Sequence, residues 1–359
     1  MRLIKGLLIC LFIFIGIFLV ANVDKGVQHQ ELDKVNVELT HKAALDGVTL
    51  QTVTDSVPDT HVADSNLVTV PFGQVAEYVQ KLKSNEYVMD AKPVAMEPPT
   101  FAFKAYVYGL KQQINQFASG DIGTITYKSN PSRAYPVSNL LPDMVVRSLS
   151  YLIPGFLLSL VLGYGLALTA AWKPRVGRVM DRLHALLLAL PDFLLLVLFQ
   201  FVAILLAKLA GHNVVLIMQF AGDIPLLIPL LTVSIMPALL LYGTLRIAVE
   251  REWQADYIKT AYSKGLTSTA TLLYHILRNT TADVLAVLPR AVTVSITALV
   301  MSEVMCGIFG LGGYALNEKL VLVTSLPTTC GILACFALLA HGILFLLQKM
   351  LIVNTKEGA

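Results

Sequence analysis

Charge is what this chain has least of. Only 14% of its 359 residues are Asp, Glu, Lys or Arg, where a soluble domain carries about 25%. With 55% hydrophobic residues, the shortfall excludes an ordinary soluble enzyme and points to a membrane protein. Cysteine is scarce too. Cys10, Cys306, Cys330 and Cys335 all lie in or beside apolar segments, with no CxxC or Cys/His ligand spacing. They read as soft packing residues and supply no disulfide framework. A phosphate-binding G-x-x-x-x-G-K-S/T loop is absent, so the chain has no ATP-binding engine of its own. The acidic residues near membrane depth are Asp192 and Glu303, with Asp223 and Asp283 at the edges. None stands at an aspartyl-protease, HExxH or Ser/His spacing, so no catalytic site is expected, and neither a metal nor a cofactor is implied. His184 and His341 are isolated and read as structural. The few basic residues sit beside apolar segments, a membrane-topology pattern and not a nucleic-acid footprint.

What the chain has in abundance is long apolar runs. A helix needs roughly 20 apolar residues to cross about 30 Å of hydrocarbon. Residues 7–23 form the first such run, behind Arg2 and Lys5. A cleaved signal peptide also fits there, but the run is long for one and an uncleaved span is favoured. Five further spans are expected at about 147–171, 184–208, 224–247, 284–307 and 329–350. Residues 172–183 carry Lys173, Arg175, Arg178 and Arg182 against Asp181, and the 248–283 loop and its edge carry Arg246, Arg251, Lys259, Lys264 and Arg278. The short segments 209–223 and 308–328 hold almost no basic residue. Basic short loops stay inside, which puts both termini in the cytoplasm and residues 24–144 outside a plasma membrane crossed several times.

The long outer segment, with ten basic and fourteen acidic residues, reads as a small α+β domain. Val75, Tyr78, Val79 and Leu82 keep helical spacing, as do Phe103, Val107, Leu110, Ile114 and Phe117. The β-rich pieces "VTLQTV" and "LVTV" read as strands. Prolines 154, 191, 225, 229, 237 and 289 interrupt the spans, which lipid tolerates only where neighbours or a polar cavity satisfy the freed backbone.

Between the fourth and fifth spans lies "EREWQADYIKTAYSKGLTSTATLLYHILRN". Residues 250–264 predict a helix with Tyr257, Ile258, Ala261 and Tyr262 on one stripe. Gly265 is placed to end it in left-handed geometry, and Thr267 or Thr269 to cap a second helix through Leu272, Leu273, Ile276 and Leu277. A DNA-binding helix-turn-helix shares such a turn, but this one is tethered to the membrane at both ends. Periodicity alone leaves two readings open, packing on other loops of the chain or docking of a partner.

The stretch "DYIKTAYSKGLTSTATLLYHILRN" resembles the EAA loop of ABC-importer permeases, in the oligopeptide/dipeptide/nickel branch. Asp256, Tyr257, Thr260, Ala261, Lys264, Gly265, Leu266, His275, Leu277, Arg278 and Asn279 match that motif. "SGDIGTITYKS", "PVSNLLPDMVVRSL", "IPLLTVSIMPALLLYGTLRIAV" and "SEVMCGIFGLGGY" are similar to further segments of the family, so about residues 110–345 are covered. Tyr262, Cys306 and Phe309 depart from the pattern. The resemblance implies an all-α polytopic protein with the six transmembrane helices of a type I importer permease. The outer α+β domain (24–144) would follow helix 1 (1–23). A core (145–350) would hold the coupling loop (248–283), followed by a cytoplasmic tail (351–359). It implies a non-catalytic subunit, without cofactor, that works with two ABC ATPase subunits, a second permease and an extracellular substrate-binding protein. The loop, through Asp256, Tyr257, Thr260, Ala261, Lys264, Gly265, Leu266, His275 and Arg278, would dock an ATPase, with Tyr257, Ala261 and Leu266 as its apolar face. Glu303, Gly310 and Gly312 would lie at the translocation gate. Peptides or related small solutes are the implied cargo. The competing classes are a membrane scaffold or sensor with a permease-like fold, and a self-sufficient secondary transporter.

Overall fold

The computed structural model describes residues 2–220, 222–315, 317, 319–323 and 325–351, the backbone alone for 2–7 and 321–323. Most of the expected tail, 352–359, lies outside the described residues. The chain divides into two compact units, Leu11–Asp121 and a second that runs from Ile122 onward and includes the first ten residues.

Helix α1 (Arg2–Ala21), which belongs to the first unit from Leu11 on, leads through a short turn (Val23–Gly26) into strand β1 (Val27–Leu39). Helices α2 (His41–Leu45) and α3 (Leu50–Asp55), strands β2 (His61–Asp64) and β3 (Leu67–Thr69), helix α4 (Val75–Lys83), strand β4 (Val88–Phe101) and helix α5 (Phe103–Ala118) follow. The sheet is antiparallel, in the order β2-β3-β1-β4. Val35 and Val37, two apart on β1, point to one face and meet Val68, Leu50, Val53, Tyr78 and Leu82 in a single core. The expected helix over 75–82 is α4, with Val75, Tyr78 and Leu82 buried, and "LVTV" contains β3.

"VTLQTV" is not a strand. It supplies α3, in which Leu50 and Val53, three apart, are both buried, so packing of one helical face overrides the β-branched propensity. The two longest strands gave no sequence signal, since β1 is largely polar and β4 holds Pro93, Pro98 and Pro99. The latter is tolerated because β4 is an edge strand of this sheet. Helix α5 forms where expected but buries the unexpected face, Ala105, Gly109 and Gln113. Phe103, Val107 and Ile114 of its apolar stripe are exposed.

The second unit opens with strands β5 (Thr124–Tyr127) and β6 (Asn130–Pro136). Helices α6 (Val137–Trp172), α7 (Pro174–Leu188), α8 (Asp192–Ala210), α9 (Leu227–Trp253), α10 (Asp256–Ser263), α11 (Ser268–Thr271) and α12 (Leu277–Met305) come next, then β7 (Leu320–Val323) and α13 (Leu326–Leu351). Among the described residues, five helical stretches are long and apolar enough to cross a membrane: Val137–Trp172, Asp192–Ala210, Leu227–Trp253, Ser268–Met305 and Leu326–Leu351. The expected first span corresponds to α1, whose apolar part, Leu8–Ala21, is shorter. The span expected at 184–208 is displaced to α8, because the basic 172–183 segment is no loop. Pro174 sits in the first turn of α7, where a missing N–H is harmless, and the helix carries through His184 to Leu188.

Helices α6, α9 and α12 form the centre. Helix α6 turns small buried residues toward α9 at Gly155, Ser159, Gly163 and Ala167, four apart on one face. The approach is close: a Cβ at Gly163 would lie 2.6 Å from Leu241 Cβ. Tyr242, Leu245, Val284 and Leu285 complete the packing. Outward faces of α8 and α13 expose Phe201, Leu205, Leu339 and Phe345, as suits helices whose solvent is lipid.

Candidate functional site

Helix α12 carries a candidate site at each end. Before it, α9 ends at Trp253 and not near 264, because Ala255 adopts extended geometry (ψ 145°) and restarts the chain as α10. Asp256 opens α10, where a carboxylate favours the positive end of the helix dipole. Its Oδ1 accepts a bond of 2.9 Å from Lys259 Nζ. At the other end Ser263 is the last residue, Lys264 is the C-cap and Gly265 turns left-handed at φ +82°. The Leu266 N–H donates to Ala261 O (3.3 Å) and the Gly265 N–H to Tyr262 O (2.9 Å). This crossed pair satisfies the terminal carbonyls. Thr267, not Thr269, caps α11: its Oγ1 accepts from Ala270 N–H at 3.3 Å. A π-turn over Leu272–Ile276 then joins α11 to α12, an irregularity frequent at functional positions.

Ile258, Leu272, Ile276 and Val249 are buried together, with Trp253, Tyr257 and Leu168 against them, and Ala261 is 6% exposed. The expectation that Tyr257 and Ala261 present an apolar docking face is therefore corrected. They face the chain's own helices, because the loop has no other core in which to bury its stripe. Leu266 is half-buried. The residues the loop shows to solvent include Asp256, Thr260, Tyr262, Lys264, Gly265, His275 and Arg278, and also Leu273, expected on the apolar face, and Tyr274. A cleft of about 320 Å³ opens beside them between Trp172, Trp253, Tyr262, Ser268 and Thr269.

Sequence reasoning missed the residue that clasps this loop. Glu252 Oε2 accepts from Tyr257 OH (2.8 Å) and from Asn279 Nδ2 (3.2 Å), tying α9, α10 and α12 to one carboxylate. The signal was present, since Tyr257 and Asn279 are both motif residues. Burial, together with this bond to Glu252, pushes the Tyr257 phenol up. Next to it Arg251 and Asp283 form a forked pair at 2.7 and 3.3 Å. Tyr242 OH and Arg246 Nε fasten α9 to Asp181 on α7 at 2.6 and 3.3 Å. Burial raises the Asp181 carboxyl, but these two donors outweigh it and hold it below the usual carboxylate range.

At the far end of α12 Glu303 is fully buried. Ser148 Oγ donates to its Oε1 at 2.6 Å, while the Gly312 and Gly313 N–H groups donate to its Oε2 at 2.7 and 3.1 Å. Ser148 in turn accepts the Leu311 N–H at 2.9 Å. Gly310 is where it is because a Cβ there would lie 2.2 Å from Glu303 Oε1. The three residues expected together, Glu303, Gly310 and Gly312, do meet, and Ser148 is the partner not foreseen. Around them Tyr127 OH and Tyr314 OH are 3.0 Å apart, the Phe309 N–H donates to Gln219 Oε1 at 3.2 Å, and β7 pairs with β5. Both oxygens of Glu303 bond within the chain, so it staples a glycine loop to α6 and α12.

His184 and His341 are structural. The first lies 3.0 Å from Leu239 O and the second 2.7 Å from Ala337 O in its own helix.

A multi-pass helical bundle with a helix–glycine–helix loop at one end and a stapled glycine loop at the other defines an integral-membrane component. The family of binding-protein-dependent transport system inner membrane components matches residues 148–353, and the chain belongs to that family. The resemblance to ABC-importer permeases thus holds at family level. A protein of Sinorhizobium fredii named as a probable peptide ABC transporter permease is 25% identical over 182 residues, 49% of this chain. The chain spans 58% of that relative's length. Among solved structures, an inward-facing crystal form of the MetNI methionine ABC transporter is 15% identical with a TM-score of 0.47, covering 62% of this chain and 100% of that one. A second crystal form of the same transporter gives 0.45, at 15% identity, 60% and 97% coverage.

Proposed function

We propose that the chain is the transmembrane permease subunit of an ATP-driven importer for peptides or related small solutes. In this reading α1 is the first of six spans, both termini are cytoplasmic and residues 24–144 are outside, as the basic residues of α7 and of the 248–283 loop favour. Its partners are two ABC ATPase subunits, a second permease and an extracellular substrate-binding protein. The carrying observation is the build of the coupling loop: α10 is bound inward by Ile258, Ala261 and the Glu252 clasp, while Asp256, Thr260, Tyr262, Lys264 and Gly265 face solvent. A lever of this kind passes rigid-body motion, where a loose loop would absorb it. Push on α10 reaches α12 through the π-turn. Along α12 (Leu277–Met305) it travels about 39 Å at 1.5 Å per residue to the Glu303 staple, which serves as the gate's anchor.

Co-expression with an ABC ATPase subunit tests this. Lys264→Glu and Thr260→Arg change exposed positions and are expected to abolish co-purification and uptake while the permease melts normally. Retained co-purification in both variants refutes docking through this face, and uptake driven by an ion gradient without ATPase refutes the coupled mechanism. Cysteine labelling from either side of sealed vesicles, at Lys264 and at Met89, checks the orientation.

A further inference from the structure

Helices α4 and α5 belong to the same unit and carry the same apolar spacing, yet they meet opposite fates. Val75, Tyr78 and Leu82 of α4 are buried in the core. In α5 Phe103 is 71% exposed, Val107 48% and Ile114 56%, with Leu110 and Phe117 half-buried beside them. The core of the unit does not use this stripe. What α5 buries is its neighbouring face. Gly109 lies against the Lys25 stem, Gln113 Oε1 accepts from Lys25 Nζ, and Ala105 is enclosed.

The place where α5 is held says what covers the stripe. Tyr106 OH donates to Leu19 O at 2.7 Å, and the Phe117 ring lies 6.0 Å from that of Phe18. The Ala102 N–H donates to Gly26 O at 2.9 Å. The residues that hold α5 along its length, Phe18, Leu19, Lys25 and Gly26, all lie within four positions of the point where α1 gives way to polar residues. That point is Asn22, Asp24 and Lys25. Up to it α1 shows apolar side chains outward, with Phe12 78% and Val20 73% exposed. At 100° per residue the stripe of α5 is bordered on one side by the packed face and on the other by Lys104 and Lys111. Helix α5 contains no acidic residue, although the surrounding 24–144 segment is net acidic. Tyr106 and Tyr108 add aromatic groups of the kind enriched where a protein crosses the membrane surface.

We infer that α5 is an interfacial helix, its Phe103–Val107–Leu110–Ile114–Phe117 stripe seated in the headgroup–acyl boundary of the bilayer beside the end of α1. This rests on the reading of α1 as a membrane-crossing helix. The chemistry is that of helices lying in the plane of the interface: an apolar face sinks into the acyl boundary and lysines reach the phosphates. Function follows from placement. The first unit is clamped to the membrane plane by a helix as well as by its tether, which sets its height above the bilayer.

Site-directed spin labelling of the full chain tests it, with Cys10, Cys306, Cys330 and Cys335 replaced by serine and the protein in phosphatidylcholine vesicles containing a minority of phosphatidylglycerol. Labels at Val107→Cys and Ile114→Cys are expected to show a several-fold higher ratio of oxygen to water-soluble nickel-complex collisions than labels at Gln112→Cys and Asn115→Cys. Equal ratios at all four positions overturn the inference. So does exclusion of both probes from 107 and 114 with immobilised spectra, which signifies a protein cover such as a second copy or a binding protein. Labels at Phe12→Cys and Ile15→Cys separate the two levels. Nickel access there refutes α1 as a span, whereas oxygen access there with nickel access at 107 and 114 refutes only the interfacial helix.

Discussion

The two ends of α12 solve one problem, fastening a loop to a helical bundle, in opposite ways. At the Glu303 end the carboxylate is wholly enclosed and takes three hydrogen bonds, two of them from backbone. At the α10 end Glu252 is only partly enclosed, with 16% of its side chain exposed, and both its motif partners are side chains. A carboxylate out of water holds a loop in one geometry, because any departure strands a buried charge and its donors. One that keeps contact with water can release its partners at lower cost. The first is suited to a fixed anchor and the second to a fastening that can open.

The sharpest way to break this contrast is Glu303→Ala. It leaves the Ser148 hydroxyl and two glycine N–H groups buried without an acceptor, and a loss of about 3 kcal/mol or more is expected. A lowered apparent melting temperature in detergent checks it, and Glu303→Gln should recover part of the loss. A native-like melt of the alanine variant would mean the enclosure is energetically idle. Glu252→Ala should cost less, about 1–2 kcal/mol, and should appear chiefly as faster proteolysis within 254–276. Gly265→Ala puts a Cβ into open space but forces a left-handed backbone, at about 1 kcal/mol. Gly265→Asn should be milder, and a melt that fails to rank Gly above Asn above Ala contradicts the turn geometry.

A smaller effect is expected from pH. The Asp181 carboxyl is held below its usual 3.8, so its folded value is depressed. Its contribution is present above about 4 and lost as pH falls through the folded value. Asp181→Asn should flatten that part of an acid melting profile, and an unchanged acid limb would show that the bonds to Tyr242 and Arg246 carry no stability. Smallest of all is Lys259→Ala. The pair with Asp256 is 82% and 94% exposed, and exposed pairs contribute little, so melting should not change. Any effect should fall on ATPase co-purification.

Much of the fold was legible, for reasons that differ by element. Long apolar runs read as spans because lipid demands internally bonded helices, and α6, α9, α12 and α13 lie where those runs lie. The boundary at α7 was missed because its leucines follow basic residues, and an amphipathic helix blurs into the span after it. Strand β1 was missed because only Val35 and Val37 mark its buried face. In the 248–283 loop, the stop at Gly265 was legible because left-handed turns are local chemistry, while the cap was narrowed only to Thr267 or Thr269, and the bond to Ala270 decided it. Which way Ala261 and Tyr257 face was not, since a stripe has a period but no partner until α9 and α12 are in place.

The sequence alone determined that this chain lives in a membrane and that a helix must stop at Gly265, and its motifs resembled those of permeases. These follow from hydropathy, backbone sterics and motif spacing, all short-range or compositional. Only the tertiary structure decided which carboxylates do the fastening, that Ser148 completes the Glu303 staple 155 positions away in sequence, and that α5 turns its apolar stripe outward. Those depend on which groups meet when distant helices pack, and no local pattern encodes the meeting.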